Sequence, residues 1–500
     1  MVADSGRKAS SKCVKLQYVT LWYSPCHSGK TSSPTLQKLH LQGRAFVIQY
    51  PRMNNTVIQI PPYALTVVER LCQFGYEAYV VGGCVRDSLL GITPKDWDVC
   101  TNATPQEVLR VFRRWPVIKT GLKHGTVTVM VNHEPVEVTT FRVDGEYTDN
   151  RHPDEVTFVS RVEEDLARRD FTINAMAYNP ERGLVDAFGG QEDLAAGRIR
   201  CVGEPDARFN EDGLRIMRAL RFAARFDFAI ENETAFSIRR NRHLLENVSV
   251  ERIYKELKGM LVGKGALSML LAFPDVMAII MPEVAASFGF EQHNPHHCYD
   301  VWTHTAHAVQ AAPADETLRL VMLLHDIGKP ASFSRGADGK GHFYGHPALS
   351  AEMAHTILTR LKSDNATLNR VVTLVREHDN TFPTTRAGMR RFIGRLGPDV
   401  VEQLFAVKRA DQAAQSDHEQ AEKKAELRQA ALLIEELMEE QHAFTIKDLH
   451  INGRELMAMG VPAGPEVGRI LKALLAEVQE DALVNAAEPL AARARELMQA

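Results

Sequence analysis

The sequence predicts an α+β chain in which a mixed-sheet head is followed by an all-α remainder, and three observations predict it. Strand-like runs fall in the first part of the chain after residue 56, among them Val80-Val81 and Pro135-Val136-Glu137-Val138-Thr139-Thr140. Past Glu251 the pattern turns to long amphipathic runs with few strand signals. Five hundred residues, 45% of them hydrophobic, suffice for several domains with cores of their own.

The earliest strong element is Val80-Val81-Gly82-Gly83-Cys84-Val85-Arg86-Asp87, which reads as strand, glycine turn and short helix. Asp96-Trp97-Asp98 then reads as a strand carrying two carboxylates. Residues two apart on a strand share a face, so Asp96 and Asp98 are expected to point together while Trp97 turns away. Such a pair can hold two Mg²⁺ ions, the arrangement that stabilises the attacking and leaving oxygens of an in-line phosphoryl displacement. Gly82 and Gly83 let backbone N–H groups approach a triphosphate, and Arg86 offers a planar fork of donors to neutralise it. The strand at Pro135 brings Glu137, either a third carboxylate beside the pair or a solvent-facing strand residue.

Asp165-Leu166-Ala167-Arg168-Arg169-Asp170-Phe171-Thr172-Ile173-Asn174-Ala175-Met176 reads as a polar cluster opening an apolar helix, with Asp170 able to cap it. In Glu211-Asp212-Gly213-Leu214-Arg215-Ile216-Met217-Arg218-Ala219-Leu220-Arg221-Phe222, Asp212 and three arginines recur every third residue near one helix face. That stripe suits a polyanion; the plain alternative is an exposed, salt-bridged helix.

The G-G-x-V-R-D turn with its D-x-D, the R-R-D-F-T-I-N-A-M-A segment, Asp186-Ala187-Phe188-Gly189-Gly190-Gln191-Glu192-Asp193-Leu194 and E-D-x-x-R-x-x-R-A-x-R-F together resemble the class II tRNA nucleotidyltransferases, the CCA-adding enzymes, with their poly(A) polymerase relatives. The resemblance covers most of the chain after about Met53. It implies a polymerase-beta-like nucleotidyltransferase head at 56–190, a helical neck with a base-reading helix at 191–260, a helical body at 261–415 and a tRNA-binding tail at 416–500. It also implies that Asp96 and Asp98 bind Mg²⁺, that Gly83 and Arg86 contact the nucleotide, and that Arg169 and Asp170 bind phosphate and ribose. Asp212 and Arg215 would read the base, with Arg218 and Arg221 assisting. The expected substrates are CTP, ATP and the 3′ end of tRNA.

The base-reading assignment has its own rationale. Cytosine and adenine offer an exocyclic amino donor beside a ring-nitrogen acceptor, whereas guanine and uracil offer a carbonyl beside an N–H. A carboxylate only accepts and a guanidinium only donates, so an Asp–Arg pair selects C and A and leaves unpaired groups against G and U. No nucleic-acid template is then needed. A mobile segment changing the pair's presentation is expected at 143–153, where the composition reads as loop. An enzyme adding only A, or a poly(A) tail, remains the nearest alternative. Gly121-Leu122-Lys123-His124-Gly125-Thr126-Val127-Thr128-Val129 resembles the form found in the tRNA enzymes.

A second constellation lies in the helical body: His304, His325-Asp326 ending an apolar helix, His346, His378 and Asp411. It resembles the HD-domain metal phosphohydrolases and implies such a domain at about 290–415. His304, His325, Asp326 and Asp411 can hold one divalent ion, and His346 and His378 a second. A protein that is chiefly an HD hydrolase or sensor, with a head that merely binds RNA, is the alternative of a different class.

A net charge of −4 confines RNA binding to local basic faces. Seven scattered cysteines without a C-x-x-C pair suggest reduced thiols in a cytoplasmic protein. No apolar run approaches the roughly 20 residues that span a membrane. Residues 1–55, rich in Ser and Lys, are expected to be a disordered extension or to precede a natural start near Met53, in preference to a targeting signal.

Overall fold

The computed structural model describes residues 57–499 except 146–155, 294–296, 338, 417–419 and 440–442. The expectations for residues 1–55 and for most of the 143–153 loop therefore lie outside the described residues.

Helix α1 (Pro62–Gln73) buries a stripe of Ala64, Val67, Val68 and Leu71. The chain then builds a seven-stranded sheet from β1 (Ala78–Val81), β2 (Val99–Thr101), β3 (Val117–Ile118), β4 (Thr126–Val131), β5 (Glu134–Thr140), β6 (Ala177–Asn179) and β7 (Gly183–Val185), in the order β3-β4-β5-β2-β1-β6-β7. Only β2 and β5 pair in parallel, so the sheet is mixed as expected. The β4–β5 hairpin turns on Asn132 and His133, both at positive φ, as a two-residue turn matched to strand twist requires. Strand β1 is apolar throughout because both its faces are covered: Val80 joins the main core, while Tyr79 and Val81 join Phe141, Leu166 and Val162 on the other side.

Three local expectations are corrected. Asp96 and Asp98 do not ride on a strand; they immediately precede β2. The ladder from β1 reaches Val80 opposite Val99, and a last bond from the Val81 N–H to the Asp98 carbonyl (3.0 Å) ends it, because Gly82 at φ 79° turns the chain away. The alternation survives in this extended lead-in, with Trp97 buried between exposed Asp96 and Asp98. No apolar helix follows Asp170: a single 3-10 turn, Thr172–Asn174, leads into β6. The Asp170 carboxylate accepts the Phe171 N–H (2.8 Å) and the Asn174 amide (2.9 Å), local bonds that compete with helix formation. The loop expected from Val143 starts later, since Arg142–Asp144 pairs with Val156–Phe158.

Helix α2 (Gly83–Leu89) leaves the glycine turn. Beyond the sheet, α3 (Leu214–Phe226) packs on α4 (Val250–Leu261), and their buried faces extend the head's core into the helical body. That body comprises α5 (Val301–Ala311), α6 (Glu316–Leu324), α7 (His346–Arg360), α8 (Asn365–Glu377), α9 (Pro398–Ala413) and α10 (Gln420–Glu439) among other helices. Residues from Ala443 to Ala494 form a separate small core. Among the described residues no helix is long and apolar enough to cross a membrane.

The packing is tight where Gly263 lies against α3: a Cβ there would stand 2.5 Å from the Ala224 carbonyl carbon. Gly263→Ala is expected to cost about 1–3 kcal/mol through overpacking, read as a lowered midpoint in thermal or urea unfolding.

Candidate active site and metal centre

At the open end of β1 and β2, Asp96, Asp98 and Glu137 converge. Glu137 precedes Val138, the partner of Val99, so it stands beside Asp98 along the parallel pair. Protein packed around Asp98, and then the negative charges of Glu137 and Asp96, raise its pKa to about 6, with Arg169 opposing. Three mutually repelling carboxylates are a hard-oxygen donor set that a divalent cation such as Mg²⁺ relieves. Their oxygens are not among the described groups that close to within 4.8 Å of one another.

The glycine turn is built differently from the expectation. Arg86 is 4% exposed and donates to Asp87 (2.7 Å) and Asn174 (2.5 Å) while lying over the rings of Phe222 and Phe226. Its guanidinium is occupied in fixing α2 against α3 and is not presented to a phosphate. Arg169, half-buried, flanks the turn instead: its Nη1 lies 2.7 Å from where a Gly82 Cβ would be. The Arg169 Nε is buried without a protein acceptor, the kind of orphaned donor an anion satisfies.

A pocket of about 270 Å³ gathers Arg169, Asp170, Asp212, Arg215 and Arg218, all singled out in the sequence, with Arg168, Leu214 and Arg252. Asp170 Oδ2 accepts two bonds from Arg218 (2.8 and 2.7 Å), tying the head to α3. Burial would raise the Asp170 carboxyl, but the Arg218 charge and the bonds from Asn174 and Arg218 hold it down at about 2. Asp212 accepts from Arg252 (2.8 Å), and Arg215 donates to Glu211 (2.5 Å), so the expected Asp–Arg pair shares the pocket without being paired to each other. Arg221 leaves the stripe for Glu256 on α4 and does not line the pocket. Sequence reading missed Arg252, whose partner is 40 residues away; the i, i+3 spacing of Arg168 from Asp165 was visible but carried no weight.

The helical body brings the second set together. The Nε2 atoms of His304 and His325 lie 3.4 and 3.2 Å from Asp326 Oδ2; those of His346 and His378 lie 3.3 and 3.6 Å from Asp326 Oδ1. Asp411 Oδ1 stands 3.0 Å from His304. Two triads thus share Asp326: His304-His325-Asp326 and Asp326-His346-His378. Each ring's Nδ1 faces a backbone carbonyl, of Ala414, Met322, Phe343 and Val375 respectively. An Nδ1–H donated to a carbonyl leaves Nε2 as the lone-pair nitrogen, the outer-shell arrangement of metal-binding histidine. Asp326 Oδ2 accepts no aligned hydrogen bond, although the Lys329 ammonium stands 2.7 Å away. Burial disfavours the charged His325 ring, but the Asp326 and Asp411 carboxylates outweigh it and raise its pKa.

A glycine turn beside a carboxylate set, with an arginine-lined pocket at the junction of sheet and helix, defines a nucleotidyltransferase-type head. Family models match residues 78–200 (Poly A polymerase head domain), 227–288 (RNA and SrmB-binding site of polymerase A) and 346–494 (tRNA nucleotidyltransferase domain 2). The chain thus carries segments that match a poly(A) polymerase head domain and a tRNA nucleotidyltransferase domain. It is 45% identical over 212 residues to the CCA-adding enzyme of Ligilactobacillus salivarius and 48% identical over 212 residues to that of Geobacillus thermodenitrificans, each alignment covering 42% of this chain. The chain spans about half the length of these curated relatives, 52% in both cases. The crystal structure of the Bacillus stearothermophilus CCA-adding enzyme in complex with CTP superimposes with a TM-score of 0.64 at 28% identity, covering 88% of this chain and 98% of that one.

Two outcomes are expected. The Asp170 carboxyl is depressed in the folded state, so its contribution is complete above its ordinary 3.8 and is lost as pH falls through about 2; Asp170→Asn should remove about 2 kcal/mol at neutral pH and flatten urea stability between those pH values. In the helical centre a histidine ligates a cation only with Nε2 unprotonated, so divalent-metal affinity measured by calorimetry should rise with pH.

Proposed function

We propose that the protein extends the 3′ end of tRNA without a template, transferring CMP twice and AMP once from CTP and ATP with release of pyrophosphate, and does so in the cytoplasm. The observation that carries this reading is the single pocket uniting Asp170, Asp212, Arg215 and Arg218, joined through Arg169 to the Asp96, Asp98 and Glu137 set. The likeness to proteins named CCA-adding enzymes supports the same reading. It rests on a head at 56–190, a neck at 191–260, a body at 261–415 and a tRNA-holding tail at 416–500.

In this mechanism the terminal 3′-oxygen of the RNA bonds to the α-phosphorus and the bond to pyrophosphate breaks. Asp96, Asp98 and Glu137 would hold Mg²⁺, which when bound neutralises charge on the phosphate oxygens. Arg169, with its unpartnered Nε, receives phosphate oxygens. Asp212 exchanges Arg252 for the exocyclic amino group of C or A, and Arg215 exchanges Glu211 for the ring nitrogen. Guanine and uracil present the reverse pattern and leave both side chains unpaired, a penalty on the order of a few kcal/mol.

The convergence of four histidine Nε2 atoms on Asp326 supports a second activity, a divalent-metal HD-type phosphohydrolase in the helical body. Its ligands would be His304, His325, Asp326 and Asp411, with His346 and His378 for a second ion. Activation of water is the chemistry a bound ion supplies there.

Purified protein given tRNA lacking A, CA or CCA should incorporate labelled C and A but neither G nor U; incorporation of A alone would replace the proposal with an A-adding enzyme. Asp98→Ala should lower incorporation by at least about 10³-fold, and unchanged activity would refute the acid assignment. His325→Ala should abolish phosphoester hydrolysis while leaving nucleotide addition intact.

A further inference from the structure

The histidine centre opens into a mouth of about 320 Å³ that includes Asp326, His346, His378 and Asp411. Beside it lies a larger cavity of about 550 Å³, walled by the segment after α8, by α9 and by α10. The two spaces adjoin, with Asp379, Asp411 and Gln415 lining both. The nucleotide pocket of the head shares no residue with this cavity, whose lining is distinctive. Phe382, Leu427 and Leu433 supply apolar surface, while Lys408 and Lys423 supply cations. Gln415 couples cavity to centre: its amide nitrogen donates to Asp411 Oδ2 (2.9 Å), and its carbonyl accepts from the Lys423 ammonium (3.1 Å). Lys408 stands one turn before Asp411 on α9.

We infer that this cavity is the leaving-group subsite of the hydrolase centre proposed above, so that the centre takes phosphoesters whose leaving group is bulky and part apolar. The inference rests on that hydrolase reading. The mouth has room for a phosphoryl group beside the histidines, whereas the adjoining space is too large and too apolar to serve phosphate alone. In the reaction a water oxygen bonds to phosphorus, the phosphorus–oxygen bond to the leaving group breaks, and the leaving oxygen takes up a proton. The apolar body of the alcohol product then lies between Phe382 and α10, with its polar substituents on Lys408 and Lys423. Small phosphoesters would reach the same centre without the contacts of the cavity.

The test uses the full chain loaded with Mn²⁺ and compares, by calorimetry, inorganic phosphate with the non-hydrolysable 1-naphthylmethylphosphonate, while turnover is followed with 1-naphthyl phosphate. Leu427→Trp and Leu433→Trp fill the cavity at two half-buried positions away from the metal ligands; unfolding curves report that each variant folds. The phosphonate is expected to bind the unaltered protein at least about tenfold more tightly than phosphate. Both Trp variants should erase that ratio while leaving phosphate affinity unchanged. A ratio near one in the unaltered protein, or a ratio that survives both substitutions, overturns the subsite. Absence of 1-naphthyl phosphate turnover with the ratio intact upholds the subsite and instead removes the hydrolase reading.

Discussion

The bidentate ion pair between Asp170 and Arg218 is the constraint on which the nucleotide pocket depends. It joins a turn of the sheet domain to the second turn of α3, and both partners line the pocket. A buried carboxylate is costly unless paired and hydrogen-bonded. Asp170 receives four bonds, two from Arg218 and one each from the Phe171 N–H and Asn174, and so remains ionised. Asn174 in turn accepts from Arg86, which Asp87 and two phenylalanine rings hold in place. One connected network therefore fixes the glycine turn, the pocket floor and α3 together. Arg225, bound to Asp87 at 3.0 Å, closes it from the far end of α3.

Much of this was legible in the sequence because it rests on short-range periodicity. The two-residue alternation of Asp96, Trp97 and Asp98 placed the acids on one side even though the ladder ends before them. That ending was not legible, since it follows from where Gly82 sends β1 and not from any preference of Asp96. The three-residue repeat of Arg215, Arg218 and Arg221 correctly put them on α3, but which of them face the pocket is decided by Glu256 and Asp170, residues separated from their partners by 35 and 48 positions. Arg86 was misjudged for the same reason: exposure depends on Phe222 and Phe226, which come from another part of the chain.

The helical centre was easier to read. His325, Asp326, His346 and His378 sit at or next to helix ends, where the chain leaves regular structure and a side chain can reach across to other helices, while His304 and Asp411 lie within α5 and α9. Residues such as Gln415 and Lys408, which extend that centre into a cavity, carry no such signature. Glutamine and lysine near a helix end are ordinary surface residues until a tertiary wall, here α10, is raised in front of them.

Three of the four histidines direct Nδ1 to the carbonyl three residues earlier: His325 to Met322, His346 to Phe343 and His378 to Val375. The tautomer is thereby dictated by main-chain geometry and needs no dedicated carboxylate or amide from elsewhere. Amino-acid drift among the neighbouring side chains leaves that orientation untouched. The donor nitrogens of this centre can accordingly outlast extensive divergence around them.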